Sequence, residues 1–152
     1  MRFCKVLLCS AALALLAVSV ESSSGGSTGT HSYDLSGQDL MDLYNKRVYQ
    51  AEKVERRLGS SSSPFWPFSH TGVRVTLDDG SQWLVHKGDN YGITSQTVAT
   101  DVRHMSSDWK PKGQPRDFQG TKTVADFVRV GGSNYHVLWD NCHQAADRMM
   151  NQ

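Results

Sequence analysis

The chain has 152 residues, with sixteen Lys and Arg against fifteen Asp and Glu. That length fits one domain. The near-neutral balance leaves no electrostatic footprint for nucleic acid and no basic patch for anionic lipid.

The first elements are not part of a folded domain. Arg2 and Lys5 precede an uncharged apolar run from Val6 to Val18, and Ala17-Val18-Ser19 has the small-x-small form of a cleavage site. This predicts a signal peptide over 1–19 and an extracellular, secreted protein. The run is short for a membrane span, which takes roughly 20 apolar residues, and no later stretch provides an anchor. Cleavage would remove Cys4 and Cys9 and leave Cys142 as the single cysteine. In an oxidising compartment a leftover cysteine points to intermolecular pairing or a reactive thiol. The chain contains no Asn-x-Ser/Thr acceptor for N-glycosylation.

Residues 20–32, rich in Ser, Gly and Thr, predict a flexible leader. A single domain over 33–152 follows. Ser36 to Asp39 resembles a capping box, and Leu40, Leu43, Tyr44, Val48, Ala51, Val54 and Leu58 then recur at helical spacing. The pattern predicts an amphipathic helix over 33–59. Phe65-Trp66-Pro67-Phe68 forms an aromatic turn, which either covers a core edge or lines a substrate groove through Trp66 and Phe68.

Val73, Val75 and Leu77 alternate with small or polar residues, Asp78-Asp79-Gly80 signals a turn, and Trp83 and Val85 continue beyond it. A three-residue loop with left-handed Gly80 pairs Val75 with Trp83, Val73 with Val85 and Gly72 with His86. A two-residue loop would scramble the apolar face. The register places His70, Gly72 and His86 on one face, with the two histidines diagonal neighbours about 7–8 Å apart at the backbone. Residues 93–102 predict a third strand and 106–120 a loop. Thr123 opens a short helix that Gly131-Gly132 ends, Tyr135 to Trp139 is a short extended piece, and Asn141 caps a last helix. These elements make an α+β domain, a small antiparallel sheet packed against helices.

Cys142, Ala145, Ala146, Met149 and Met150 lie on one apolar stripe of the last helix, so Cys142 faces inward at the helix N-terminus. There the helix dipole and free N–H groups favour a thiolate, and could hold an oxyanion at Asn141 and Cys142. His143 and Asp147, four apart and off the stripe, are expected to pair at the surface. Cys142 is either a small core residue or a nucleophile. Two histidines on one sheet face beside it supply the base and the orienting group that a nucleophile needs. A zinc site on His70, His86 and Cys142 lacks the short ligand pair such sites use. His31, His104 and His136 are expected at the surface.

His70-Thr71-Gly72-Val73, then Leu84-Val85-His86 after the hairpin, then Tyr135 leading to Asn141-Cys142, resembles the NlpC/P60 superfamily. The closer likeness is to its permuted, lecithin:retinol acyltransferase-like branch, over residues 68–150. That family carries Asn-Cys-Glu-His-Phe where this chain has Asn141-Cys142-His143-Gln144-Ala145. The resemblance implies a permuted papain-like fold with Cys142 as nucleophile, His70 as general base and His86 as orienter. It also implies a site without cofactor or metal, acting on an amide or ester of a peptide, cell-wall peptide or acyl lipid. The departure after Cys142 alters one edge of that site, and Tyr135 is expected, with Trp66 and Phe68, to line the substrate groove. A monomer is expected, since Cys142 faces the core. The rival expectation is a secreted, non-catalytic binding protein on the same fold.

Overall fold

A computed structural model describes residues 35, 37–57, 69–88, 97–136 and 139–152. The signal peptide, the leader and the aromatic turn with Trp66 and Phe68 lie outside the described residues. Three helices pack against a six-stranded sheet whose pairings are all antiparallel. Helix α1 (Gly37–Asn45) leads into β1 (Arg47–Arg57), then β2 (Ser69–Leu77), β3 (Gln82–Lys87) and β4 (Thr97–Asp101). A single 3-10 turn at Val102–His104 follows. Strands β5 (Lys110–Pro111) and β6 (Arg116–Thr123) both pair with β1, and α2 (Val124–Gly131) and α3 (Cys142–Asn151) close the chain. Among the described residues no helix is long and apolar enough to cross a membrane.

The β2–β3 hairpin has the expected register, with Gly72 opposite His86, Val73 opposite Val85 and Val75 opposite Trp83. Leu77 N–H donates to Ser81 O at 2.9 Å and Gly80 N–H to Leu77 O at 3.0 Å. Gly80 takes φ 78°, a left-handed conformation that glycine adopts without a Cβ clash.

The long leading helix is not formed: α1 ends at Asn45 and residues 47–57 are strand. A bulge between Val48 and Gln50 explains why the pattern looked helical. It places Val48 opposite Leu77 and Ala51 opposite Val75, so residues three apart share one face. Val54, opposite Gly72, is buried on the other face. An apolar spacing of three along a strand with a bulge and two covered faces therefore mimics a helix. Residues 106–120 are not all loop either. Pro111 sits on the two-residue edge strand β5, where a missing N–H costs no ladder bond. In β6, Phe118 and Gly120 are buried between exposed neighbours. Of the expected third strand, residues 97–101 are β4, Val102 belongs to the 3-10 turn and 93–96 lie outside the described residues.

The core lies on one face of the sheet. Ala51, Val73, Val75, Leu77 and Val85 meet Leu43 of α1, Val124 and Phe127 of α2, and Ala145, Ala146 and Met149 of α3. Phe118 meets Phe127 edge-on at 5.1 Å between ring centroids. Helix α2 starts in a capping box between Thr123 and Asp126 and ends at Gly132, φ 87°. This packing fixes α3 across β2 and β3 and so places its first residue, Cys142.

Candidate functional site

Helix α3 begins where expected. Asn141 accepts the N–H groups of His143 and Gln144, at 2.9 and 3.4 Å, and Gln144 returns its Oε1 to the Asn141 N–H. This reciprocal cap leaves the first-turn N–H groups ordered around Cys142. One carboxylate anchors the approach to the helix. Asp140 Oδ1 accepts from Lys87 Nζ at 2.6 Å and from Arg148 Nη2 at 2.8 Å. Arg148 also donates to Val130 O and Gly131 O, at 2.9 and 2.7 Å. Lys87, the residue after His86, is fully buried. The end of β3, the end of α2 and the start of α3 are thereby held together. Burial pushes the Asp140 carboxyl up, but the hydrogen bonds from Lys87 and Arg148 outweigh it and hold the group below its ordinary range.

Cys142 is a free, buried thiol. Its Sγ lies 4.0 Å from Ser69 O, with the N–H groups of Thr71, Cys142 and His143 nearby, the last of them donating to Asn141 Oδ1. The Thr71 N–H is available for a simple reason. Leu77 N–H points toward β3, so alternate residues Val75, Val73, Thr71 and Ser69 do too. The ladder with β3 stops at Gly72, opposite His86. The sulfur therefore sits at the end of that ladder, against the two peptide groups that flank His70. Tyr135, half-buried, stands near the same sulfur, and burial, followed by the charge a Cys142 thiolate would carry, pushes its phenol up. Burial raises the Cys142 thiol, partly offset by the three N–H groups. The resting group is a thiol.

His70 and His86 meet as the register requires. Their Nε2 and Nδ1 atoms are 2.9 Å apart and their rings stand edge-on at 5.1 Å. His86 Nδ1 is also 3.2 Å from Gly88 O, and its Nε2 is 3.5 Å from Thr100 Oγ1. Two proton arrangements join the pair, but only the first also serves Gly88 O, which can do nothing except accept. With the proton on His86 Nδ1, that nitrogen serves both Gly88 O and His70 Nε2. With the proton on His70 Nε2, His70 Nδ1 is left free to accept another. Burial, then His86, Arg56 and His143, hold the His70 imidazole down at about 2, so it is neutral. No hydrogen bond joins Cys142 to His70. The structure brings the two histidines into contact and sets the thiol beside the His70 backbone.

Other side chains depart from expectation. His143 and Asp147 do not pair. His143 Nδ1 is 2.7 Å from Thr71 Oγ1, and Asp147 pairs with Lys53. His136 stacks on Trp139 with 3.2 Å between centroids, inside a bridge to Asp140, and His104 Nε2 accepts from Arg103 Nε at 3.3 Å. Arg56 and Trp109, which the sequence pattern did not single out, stand beside His70. Among the described residues no group of three His, Cys, Asp or Glu side chains is placed to hold a metal ion. Comparison with family models, curated proteins and solved structures gives no match to this chain.

Proposed function

We propose that the protein is a secreted cysteine-dependent hydrolase or acyltransferase with a permuted papain-like arrangement of the NlpC/P60 type. The observation that carries this reading is the seat of Cys142. Its sulfur lies at a capped helix N-terminus, near the N–H groups of Thr71 and Cys142, and abuts the peptide groups flanking His70. Donors converging there can hold the oxyanion of a tetrahedral intermediate.

In this mechanism Cys142 Sγ attacks the carbonyl carbon of an amide or ester. The thiol proton passes to His70 Nδ1, while His70 Nε2–H donates to His86, which holds the ring. The tetrahedral intermediate collapses, the carbon–heteroatom bond breaks, and the leaving amine or alkoxide takes the proton from His70. Water or an acyl acceptor then attacks the thioester, and the thiol is regenerated. In the resting protein the lowered His70 imidazole and the raised Cys142 thiol oppose this transfer, so the mechanism requires the two groups to close up when substrate binds, as catalytic hydrogen bonds often do. Candidate substrates are peptides, cell-wall peptides and acyl lipids.

The second reading is a binding protein that keeps Cys142 as a core residue. The missing hydrogen bond between thiol and imidazole favours it. A panel of activated esters and peptide amides separates the two. Turnover by wild type that Cys142→Ala abolishes supports the enzyme. Equal, background turnover in both leaves the binding protein.

A further inference from the structure

Arg56 lies directly opposite His70 in the pairing of β1 with β2, so both side chains rise on the same face. Trp109 joins them. Its ring is 5.5 Å from that of His70, and the Arg56 guanidinium carbon stands 5.3 Å from its centroid. The β1–β5 register explains the meeting, since Val54 faces Pro111 and Glu55 faces Lys110, which brings Trp109 level with Arg56. Among the described residues the guanidinium is thus held by an aromatic face rather than by an anion. Its Nε is buried without a hydrogen-bond partner, and among the described residues Arg56 forms no ion pair. The nearby carboxylates are committed elsewhere: Glu52 to Arg74, Glu55 to Lys112 and Asp108 to Ser106.

A fixed guanidinium stacked on an aromatic ring presents its remaining N–H fork in a geometry that matches a carboxylate or phosphate. We propose that Arg56, braced by Trp109 beside His70, binds an anionic group of the ligand, a carboxylate or a phosphate. As a substrate contact this rests on the catalytic reading of Cys142 and His70. Binding there would place the anionic end of the substrate next to the base and give the guanidinium, without an ion pair among the described residues, an anionic partner.

The test needs no turnover. The Trp109 indole N–H resonance of the purified protein is followed by NMR during titration with sodium acetate and, separately, with sodium methyl phosphate, at constant ionic strength set with sodium chloride. A saturable shift is expected, weakened about tenfold or more in Arg56→Gln and by less in Arg56→Lys, the scale of losing a charge-assisted hydrogen bond. The anion that binds more tightly identifies the carboxylate or the phosphate source. No saturable shift in wild type, or the same affinity in Arg56→Gln, overturns the proposal. Cys142→Ala should titrate like wild type, so failure of the catalytic reading and failure of the anion site are separate results.

Discussion

Replacing Asp140 with Ala should destabilise the protein more than any other single loss of a charge near the site. The reason is the dryness of its partner. Lys87 is 0% exposed and its ammonium has Asp140 Oδ1 at 2.6 Å, whereas the Asp140 side chain keeps 28% of its exposure and has Arg148 as a second partner. Removing the carboxylate strands a buried cation, a change that costs about 3–5 kcal/mol. Solvent reaching the vacated side favours the lower end, about 3 kcal/mol, roughly a hundredfold in the folding equilibrium. Lys87→Met removes the buried charge itself and leaves Asp140 with Arg148 and water, so it should cost less than Asp140→Ala. Urea unfolding followed by circular dichroism measures both. A loss below about 1 kcal/mol for Asp140→Ala, or a larger loss for Lys87→Met, would refute the claim that this carboxylate exists to hold a buried lysine.

Two further predictions concern the histidine pair. His70 is held neutral down to about 2 in the fold, while its unfolded value is near 6.5. Between those values the unfolded chain binds a proton that the folded chain does not. Its contribution to stability is therefore complete above pH 6.5 and is lost as pH falls, by about 1.4 kcal/mol per unit. Unfolding measured from pH 7 to pH 4.5 should show a slope that His70→Gln makes shallower; an unchanged slope would contradict a buried neutral imidazole. In Gly72→Ala, the added Cβ would lie 2.8 Å from Leu84 Cδ1, 3.0 Å from His86 Cβ and 3.2 Å from Val85 O. Leu84 Cδ1 can swing aside, but His86 Cβ and Val85 O must give by a few tenths of an ångström, at about 1–3 kcal/mol, and imidazole NMR shifts of His70 and His86 should move together. Wild-type stability and shifts in that variant would show that the close approach of β2 and β3 is not needed.

The hairpin was legible because strict alternation and a glycine turn leave one register that buries Val73, Val75 and Val85 together. The His70–His86 contact followed from that register. The start of α3 was legible from Asn141 and the apolar stripe behind it. Strand β1 was not, because its bulge and two covered faces give an apolar period near that of a helix. Nor were β5 and β6, where Pro111 and Gly120 look like loop but fall on an edge and an irregular strand. The Ser69 and Thr71 neighbours of Cys142 were hidden for another reason. They are backbone groups at the end of a ladder, and sequence spacing does not show where a ladder stops. Arg56 and Trp109 come together only through β5, which was itself unseen.

The role of Cys142 is tested most directly by trapping. The protein is incubated with an activated acetyl ester, quenched in acid, and its peptides are analysed by mass spectrometry. If Cys142 is the nucleophile and His70 its base, the acetyl group appears on the Cys142 peptide at up to one per chain. The adduct is absent in Cys142→Ala and forms about a hundredfold more slowly or worse in His70→Ala. If the Cys142 peptide is acylated only after unfolding, or equally fast in His70→Ala, the sulfur is a core group and the protein is not a thiol enzyme.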